Sequence, residues 1–378
     1  MQKLYLKLLH YFKLFPIYLL QKPAGYDLRL YGFMPLIGLG TLLKRRGIEI
    51  EFWPFIVLFL FSTLVALCFE DWLSARRSFQ TLCMAGFCSY LINYFSYDQL
   101  TRLAKNAIYL LVGYYIYDFS FGVTSHVLIL QTWHTYFLVP GLLNNSNYTG
   151  LLSAGLTIFF GINKSYGLFF IGLILVFISQ SKTAFFCLLL AIPAVFFFNK
   201  ENIKLHFYAY GIFALIALSP ALLFLFEKVS PESLKMVVNT WSGSRYTIQL
   251  SYLELFQLAP FGVGYERSHE MIADHLLRGS SLLTNNNFTP FYDEKIGSHS
   301  TFIKVLCELG IFGYFCYLQF IYLILRKGLE VNPHAAVGFI SICAAQMLLE
   351  GLSEFIFYFF IALTLQPLIL LQPNRPQS

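Results

Sequence analysis

Long apolar stretches broken by short polar interruptions run from about residue 30 almost to the C-terminus. Stretches of roughly 20 residues with few charges recur, the length a helix needs to cross the ~30 Å hydrocarbon layer. Runs such as Phe52 to Phe69 are continuous rather than alternating, which excludes a transmembrane β-barrel. The pattern predicts spanning helices at 30–44, 52–69, 78–96, 106–122, 147–163, 165–180, 182–198, 205–226, 300–325, 333–351 and 354–371. Residues 1–29 mix Lys3, Lys7, Lys13 and Lys22 with Leu, Tyr and Phe at helical spacing. They read as a helix lying at the membrane interface or as a further span. The lysines leave no clean apolar centre, so no cleavable signal peptide is expected. The predicted fold class is an all-α polytopic membrane protein with about 11–12 transmembrane helices and a large extracytoplasmic loop.

Charge position sets the expected orientation. Lys44-Arg45-Arg46, Arg102 and Lys105, Lys164, Lys200 and Lys204, and Arg326-Lys327 all fall on one side if the spans alternate. That side is cytoplasmic by the positive-inside tendency, and the tail with Arg375 joins it. Arg76-Arg77 and the N-terminal lysines depart from the pattern. Three regions then lie outside: the Glu70-Asp71 turn, residues 123–146, and a long loop at 227–299. The expected layout is an N-terminal transmembrane bundle at 1–226, that loop at 227–299, and C-terminal helices with a short cytoplasmic tail at 300–378. The loop mixes acids and bases and has no basic tract, which gives no argument for nucleic acid. Residues 245–258 read as an amphipathic helix resting on the membrane surface, and 279–298 as irregular loop.

Composition agrees: of 378 residues 57% are hydrophobic and only 12% charged, against ~25% charged in soluble domains. The seven cysteines lie in or beside apolar runs with no close pair, so neither a metal site nor a disulfide framework is expected. No internal repeat supports an inverted-repeat transporter.

Candidate chemistry concentrates around the long loop. Ser179-Gln180-Ser181-Lys182-Thr183 interrupts two apolar runs at the outer face. The Lys182 ammonium is suited to an anionic group such as a diphosphate, or it snorkels from a tight turn. A Ser181–Lys182 nucleophile pair has no other support in the sequence. Arg245 precedes a predicted helix, where a guanidinium grips phosphate oxygens bidentately or serves a surface ion pair. His299 stands where the loop re-enters the membrane, as a base for a hydroxyl or as an interfacial histidine with a backbone partner. His269-Glu270 and His275 lack the four-residue spacing of a zinc helix, so no metal is assigned. Pro260-Phe261-Gly262-Val263-Gly264 is too short for a dinucleotide fingerprint and reads as a turn after a helix.

In order, these features resemble the O-antigen ligase and O-antigen polymerase superfamily. The resemblance rests on Pro140 to Tyr148 entering a span, Ser179 to Thr183 between two spans, and Gly243-Ser244-Arg245 followed by Pro260 to Gly264. It closes with His299-Ser300 and Glu308-Leu309-Gly310-Ile311-Phe312-Gly313, and so covers residues 140–313. Two positions depart from the family pattern: Lys182 stands where arginine is usual, and Ser300 where asparagine more often follows the histidine.

The resemblance implies a multispanning, lipid-carrier-dependent glycosyltransferase of the bacterial inner membrane, metal-independent, without cofactor, and working at the periplasmic face. The implied donor is a glycan on undecaprenyl diphosphate. The implied acceptor is a sugar hydroxyl on a lipid-linked glycan or on lipid A-core. Arg245 and Lys182 would hold the diphosphate, with Arg245 and His299 in the catalytic set and Ser181, Asn147 and Glu308 in support. The expected activity is O-antigen or polysaccharide polymerase, with a chain-length regulator protein as a possible partner. The alternatives are O-antigen ligase and, from another class, a lipid-linked oligosaccharide transporter.

Overall fold

The computed structural model describes residues 33–43, 49–121, 127–131, 134–138, 146–197, 203–242, 245–268, 270–272, 297–349 and 355–366. The expectations for residues 1–29, for 140–145, for Gly243-Ser244, for His269 and His275, for 279–296 and for the tail with Arg375 lie outside them.

The helices follow the predicted spans closely. They are α1 (Phe33–Leu43), α2 (Trp53–Cys68), α3 (Trp72–Tyr94), α4 (Tyr97–Phe121), α5 (Ser146–Ile162), α6 (Tyr166–Ser179), α7 (Lys182–Phe197) and α8 (Ile203–Val229). After α9 (Glu232–Ser242) and α10 (Arg245–Leu258) come α11 (Thr301–Val331), α12 (Pro333–Ala345) and α13 (Phe355–Leu365). Among the described residues three helices are long and apolar enough to cross a membrane unaided: Ile50–Cys68, which adds a 3-10 turn to α2, then α8, and α11. Shorter apolar helices fill six more predicted spans, and α3 and α4 are long but carry polar residues. The architecture is that of an all-α polytopic membrane protein with one exception, a hairpin of β1 (Val127–Gln131) and β2 (His134–Leu138). It pairs antiparallel with Val127 opposite Leu138 and Gln131 opposite His134. The hairpin lies within the 123–146 region expected outside, and its Val127, Ile129, Thr135, Tyr136 and Phe137 are β-branched or aromatic residues that suit strands.

Centre and periphery follow from residue type. In α12 every residue from Ala335 to Ala345 is buried, and in α13 every residue from Ile356 to Leu365. A helix apolar all round needs neighbours all round, and α12 packs against α5, α7, α8, α11 and α13. By contrast α2 and α8 leave Phe61, Leu64, Phe207 and Leu218 exposed, which suits helices bordered by lipid.

Contacts between helix ends agree with the predicted alternation. On the expected cytoplasmic side Lys327 pairs with Glu51 at 3.3 Å. There too Tyr97 donates to Asn163 Oδ1 at 2.8 Å, and Asn332 Nδ2 donates to the Leu363 carbonyl at 3.2 Å. On the expected outer side Arg267 pairs with Asp71 at 2.8 Å, and the Thr301 amide donates to the Gln346 carbonyl at 2.9 Å. None of these contacts joins ends assigned to opposite sides.

One expectation is corrected. The segment 245–258 is helical, as α10, but does not rest on a surface: Tyr246 through Leu253, and Leu255, are buried, packed by α8, α9 and α11. Its polar residues have partners inside the protein. Thr247 bonds Asn239 Oδ1 through both its amide and its hydroxyl, Gln249 donates to two carbonyls, and Ser251 donates to the Thr247 carbonyl. Bonded polar groups remove the main penalty against burial. The helix that shows an exposed apolar face is its neighbour α9, with Leu234 and Val237 outward.

Candidate functional site

The turn between α6 and α7 is a compact serine knot. Gln180 takes a left-handed conformation, φ 50°, which ends α6. Ser181 caps α7 by accepting from the Ala184 amide at 3.2 Å and donates to Asn147 Oδ1, also at 3.2 Å. Ser179 donates to the Val176 carbonyl at 2.7 Å, and Ser179, Ser181 and Thr183 are buried. The knot sits directly on α5 at Gly150, where a Cβ would stand 2.5 Å from Ser181 Cβ and 2.7 Å from Ser179 Oγ. Lys182 is therefore the first residue of α7. Its ammonium stands at a helix N-terminus, whose unsatisfied amides and dipole already favour an anion.

Arg245 opens α10, which is anchored on both flanks. The Tyr246 hydroxyl donates to Glu227 at the end of α8, Glu227 accepts from Lys235 of α9 at 2.9 Å, and Asn239 of α9 holds Thr247. Arg245 is half-buried, and that burial pushes its guanidinium pKa down from the ordinary value. Among the described residues no carboxylate pairs with it. Its positive charge bears on Lys182 at the start of α7, so two cations from separate helices act on one another.

Among the described residues His299 is one of five non-glycine residues with positive φ, at 51°. Ser298 and Ser300 bracket it: the Ser298 hydroxyl donates to the Ser300 carbonyl at 2.8 Å and accepts from the Ser300 amide at 3.2 Å. Ser300 then caps α11 by accepting from the Ile303 amide at 3.4 Å. From α10, Gln249 Nε2 donates to the His299 carbonyl at 3.4 Å and to the Met347 carbonyl at 3.1 Å.

The two glycine motifs form one joint. α11 breaks at Gly310, φ 70° and ψ −174°, about 13 Å along its axis. The segment after α10 fills the break: the Ile311 amide donates to the Pro260 carbonyl at 3.0 Å, Val263 to Cys307 at 3.1 Å, and Gly264 to Glu308 at 2.9 Å. Irregular backbone at membrane depth is tolerated where protein groups satisfy it in this way. The approach leaves no room for side chains: a Cβ on Gly262 would lie 2.5 Å from the Glu308 carbonyl oxygen, and one on Gly310 2.3 Å from Phe261 C. Pro260 to Gly264 is thus more than the turn that its sequence predicts. The chain runs on to Tyr265, buried edge-on to Phe59 at 5.2 Å, and to Glu266, which pairs with Lys304 at 2.8 Å.

Ser181 and Lys182 therefore share one turn, which Asn147 of α5 joins through its bond to Ser181; the charge of Arg245 acts on Lys182, and His299 is tied to the helix that begins with Arg245. Glu308 belongs elsewhere. It is buried, it accepts from Ser268, and its second oxygen has no partner among the described residues. The sequence reading missed Gln249, and it missed the Glu227–Tyr246–Lys235 anchor. A glutamine four residues after a candidate arginine on one helix was the available signal, since such positions share a face.

Comparison with known proteins matches residues 167–318 to the model of a family described as O-antigen ligase. The match bears out the resemblance read from the motifs and includes Lys182, Arg245, His299 and Glu308; Asn147 lies before it. Nothing among curated proteins or solved structures matches.

Proposed function

We propose that this chain, whose residues 167–318 match the O-antigen ligase family, is a polysaccharide polymerase of the bacterial inner membrane. It joins undecaprenyl-diphosphate-linked repeat units at the periplasmic face. The observation that carries this reading is the half-buried Arg245 at the start of α10, which has no carboxylate partner among the described residues and whose charge acts on Lys182 at the head of α7. Such a pair is stabilised by an anion of high charge, and a diphosphate supplies one.

The residues suggest a single displacement. An acceptor hydroxyl oxygen attacks the anomeric carbon of the donor sugar. The bond from that carbon to the diphosphate oxygen breaks, and undecaprenyl diphosphate leaves with the electron pair. His299 takes the hydroxyl proton, a contribution on the order of 10²–10⁴-fold. Arg245, Lys182 and the amides at the start of α7 hold the charge developing on the leaving oxygen, an effect of several kcal/mol at comparable sites. Inversion at the sugar carbon follows. Both departures from the family pattern keep part of the chemistry. Ser300 caps α11 as asparagine also does, and Lys182 keeps the charge, as a point rather than a fork.

The description of the matched family favours a second reading, the ligase, in which the acceptor is a lipid A-core sugar. Both readings share the donor site. Replacing His299 by Ala should cut transfer at least 100-fold in protein that inserts and unfolds like the parent, and Arg245→Gln should raise the donor KM. Full transfer by His299→Ala removes the base assignment. Unchanged donor dependence in Arg245→Gln removes the diphosphate site.

A further inference from the structure

We infer that Gln249 is a positioning residue for the transfer reaction, holding His299 in register with Arg245. The inference rests on the function proposed above and deepens it. Gln249 follows Arg245 by one turn of α10, so the two side chains leave the same face of a buried helix. A primary amide in a membrane bundle is expensive unless bonded, and Gln249 is buried. Its NH2 group has two protons, and both are used. One goes to the His299 carbonyl, the other to the Met347 carbonyl beyond the end of α12.

The bond to His299 falls where the backbone needs holding. A histidine at φ 51° persists only when its surroundings over-determine it. Ser298 and Ser300 close the turn from within. Gln249 refers that turn to another helix. It ties the peptide carrying His299 to the helix that starts with Arg245 and, through Met347, to the centre of the bundle. The Thr301 side chain donates to the nearby Leu349 carbonyl at 3.2 Å, so the start of α11 is tied to the same turn. Gln249 does not hold the donor; it sets where the base stands relative to the group that does. Displacement of a catalytic group by about 1 Å costs on the order of 100-fold in turnover.

The test uses the purified full-length protein in detergent with an undecaprenyl-diphosphate repeat unit, and two near-isosteric variants. Gln249→Met removes the donors. Gln249→Glu keeps the shape but turns the group into an acceptor facing two carbonyl oxygens, until protonation restores one donor. Gln249→Met should lower kcat about 100-fold while the Kd for undecaprenyl diphosphate stays at the parent value. Gln249→Glu should lower kcat as well, and its kcat relative to the parent at the same pH should rise as pH falls. Parent-like kcat in both variants overturns the inference. So does a parallel loss of donor affinity, thermal midpoint and kcat with no pH-dependent recovery in Gln249→Glu, which marks a merely structural glutamine. His299→Ala, run alongside, separates the two claims: if it retains full transfer, the proposed base fails, whereas if it is inactive while both Gln249 variants behave like the parent, only the positioning role fails.

Discussion

Replacing Gly310 by alanine tests the joint between α11 and the segment after α10. Gly310 sits at φ 70° and ψ −174°, a region that essentially only glycine occupies, with a penalty of about 1–3 kcal/mol for other residues. The new Cβ would lie 2.3 Å from Phe261 C and 2.4 Å from Phe261 O. These are backbone atoms that cannot swing aside, and forced overpacking of this kind adds about 1–3 kcal/mol. Retreat of the loop would relieve the clash but would give up the bonds at Pro260, Val263 and Gly264, each worth about 0.5–1.5 kcal/mol. Either route gives a loss of roughly 2–6 kcal/mol. The assay is unfolding in mixed micelles by titration with a denaturing detergent. Gly211→Ala serves as the comparator, because it lies within α8 with nothing within 4 Å of its Cβ and should gain up to about 1 kcal/mol from helix propensity. A Gly310→Ala protein as stable as the parent would refute the joint.

Other predictions are simpler. Gly150→Ala should push the Ser179–Ser181 knot and with it Lys182, raising the donor KM about tenfold if ~1.4 kcal/mol of packing strain falls on that turn; a titration of initial rate against donor concentration checks it. Asp71 is held below the ordinary carboxylate range, chiefly by the Ser74 hydroxyl and also by Arg267. A depressed folded-state pKa means that its contribution is complete above the unfolded value, near 4, and is lost as pH falls through the folded one. Thermal midpoints measured from pH 7 down to pH 3 should fall more for the parent than for Asp71→Asn, and parallel curves would show that Asp71 contributes nothing.

The sequence made the helices legible because runs of about 20 apolar residues leave a chain few other ways to satisfy its backbone in lipid. It did not show where the polar ends of the helices fall: α4 begins at Tyr97, ahead of the predicted start at 106, and α11 runs on to Val331, past the predicted end at 325, since an apolar run does not say where its helix stops. The burial of α10 was hidden because Thr247, Gln249 and Ser251 read as surface residues until their partners on other elements are known. The hairpin at Val127–Leu138 was hidden in the same way: strand pairing is a relation between two segments, and each alone looks like more apolar chain. In the candidate site, Lys182, Arg245 and His299 stood out one by one as charged or titratable residues beside membrane segments. Their connections did not, because Gln249 is uncharged and the Gly262–Gly310 contact joins motifs some fifty residues apart.

The central claim is glycan transfer from a polyprenyl diphosphate. The most direct measurement incubates purified protein with one undecaprenyl-diphosphate repeat unit, with and without lipid A-core, and resolves the products by size. The account predicts a ladder of longer lipid-linked glycans from the donor alone, abolished by His299→Ala. Product that forms only when lipid A-core is present would replace polymerase by ligase. No transfer under either condition, with the His299 and Arg245 variants indistinguishable from the parent, would contradict the account.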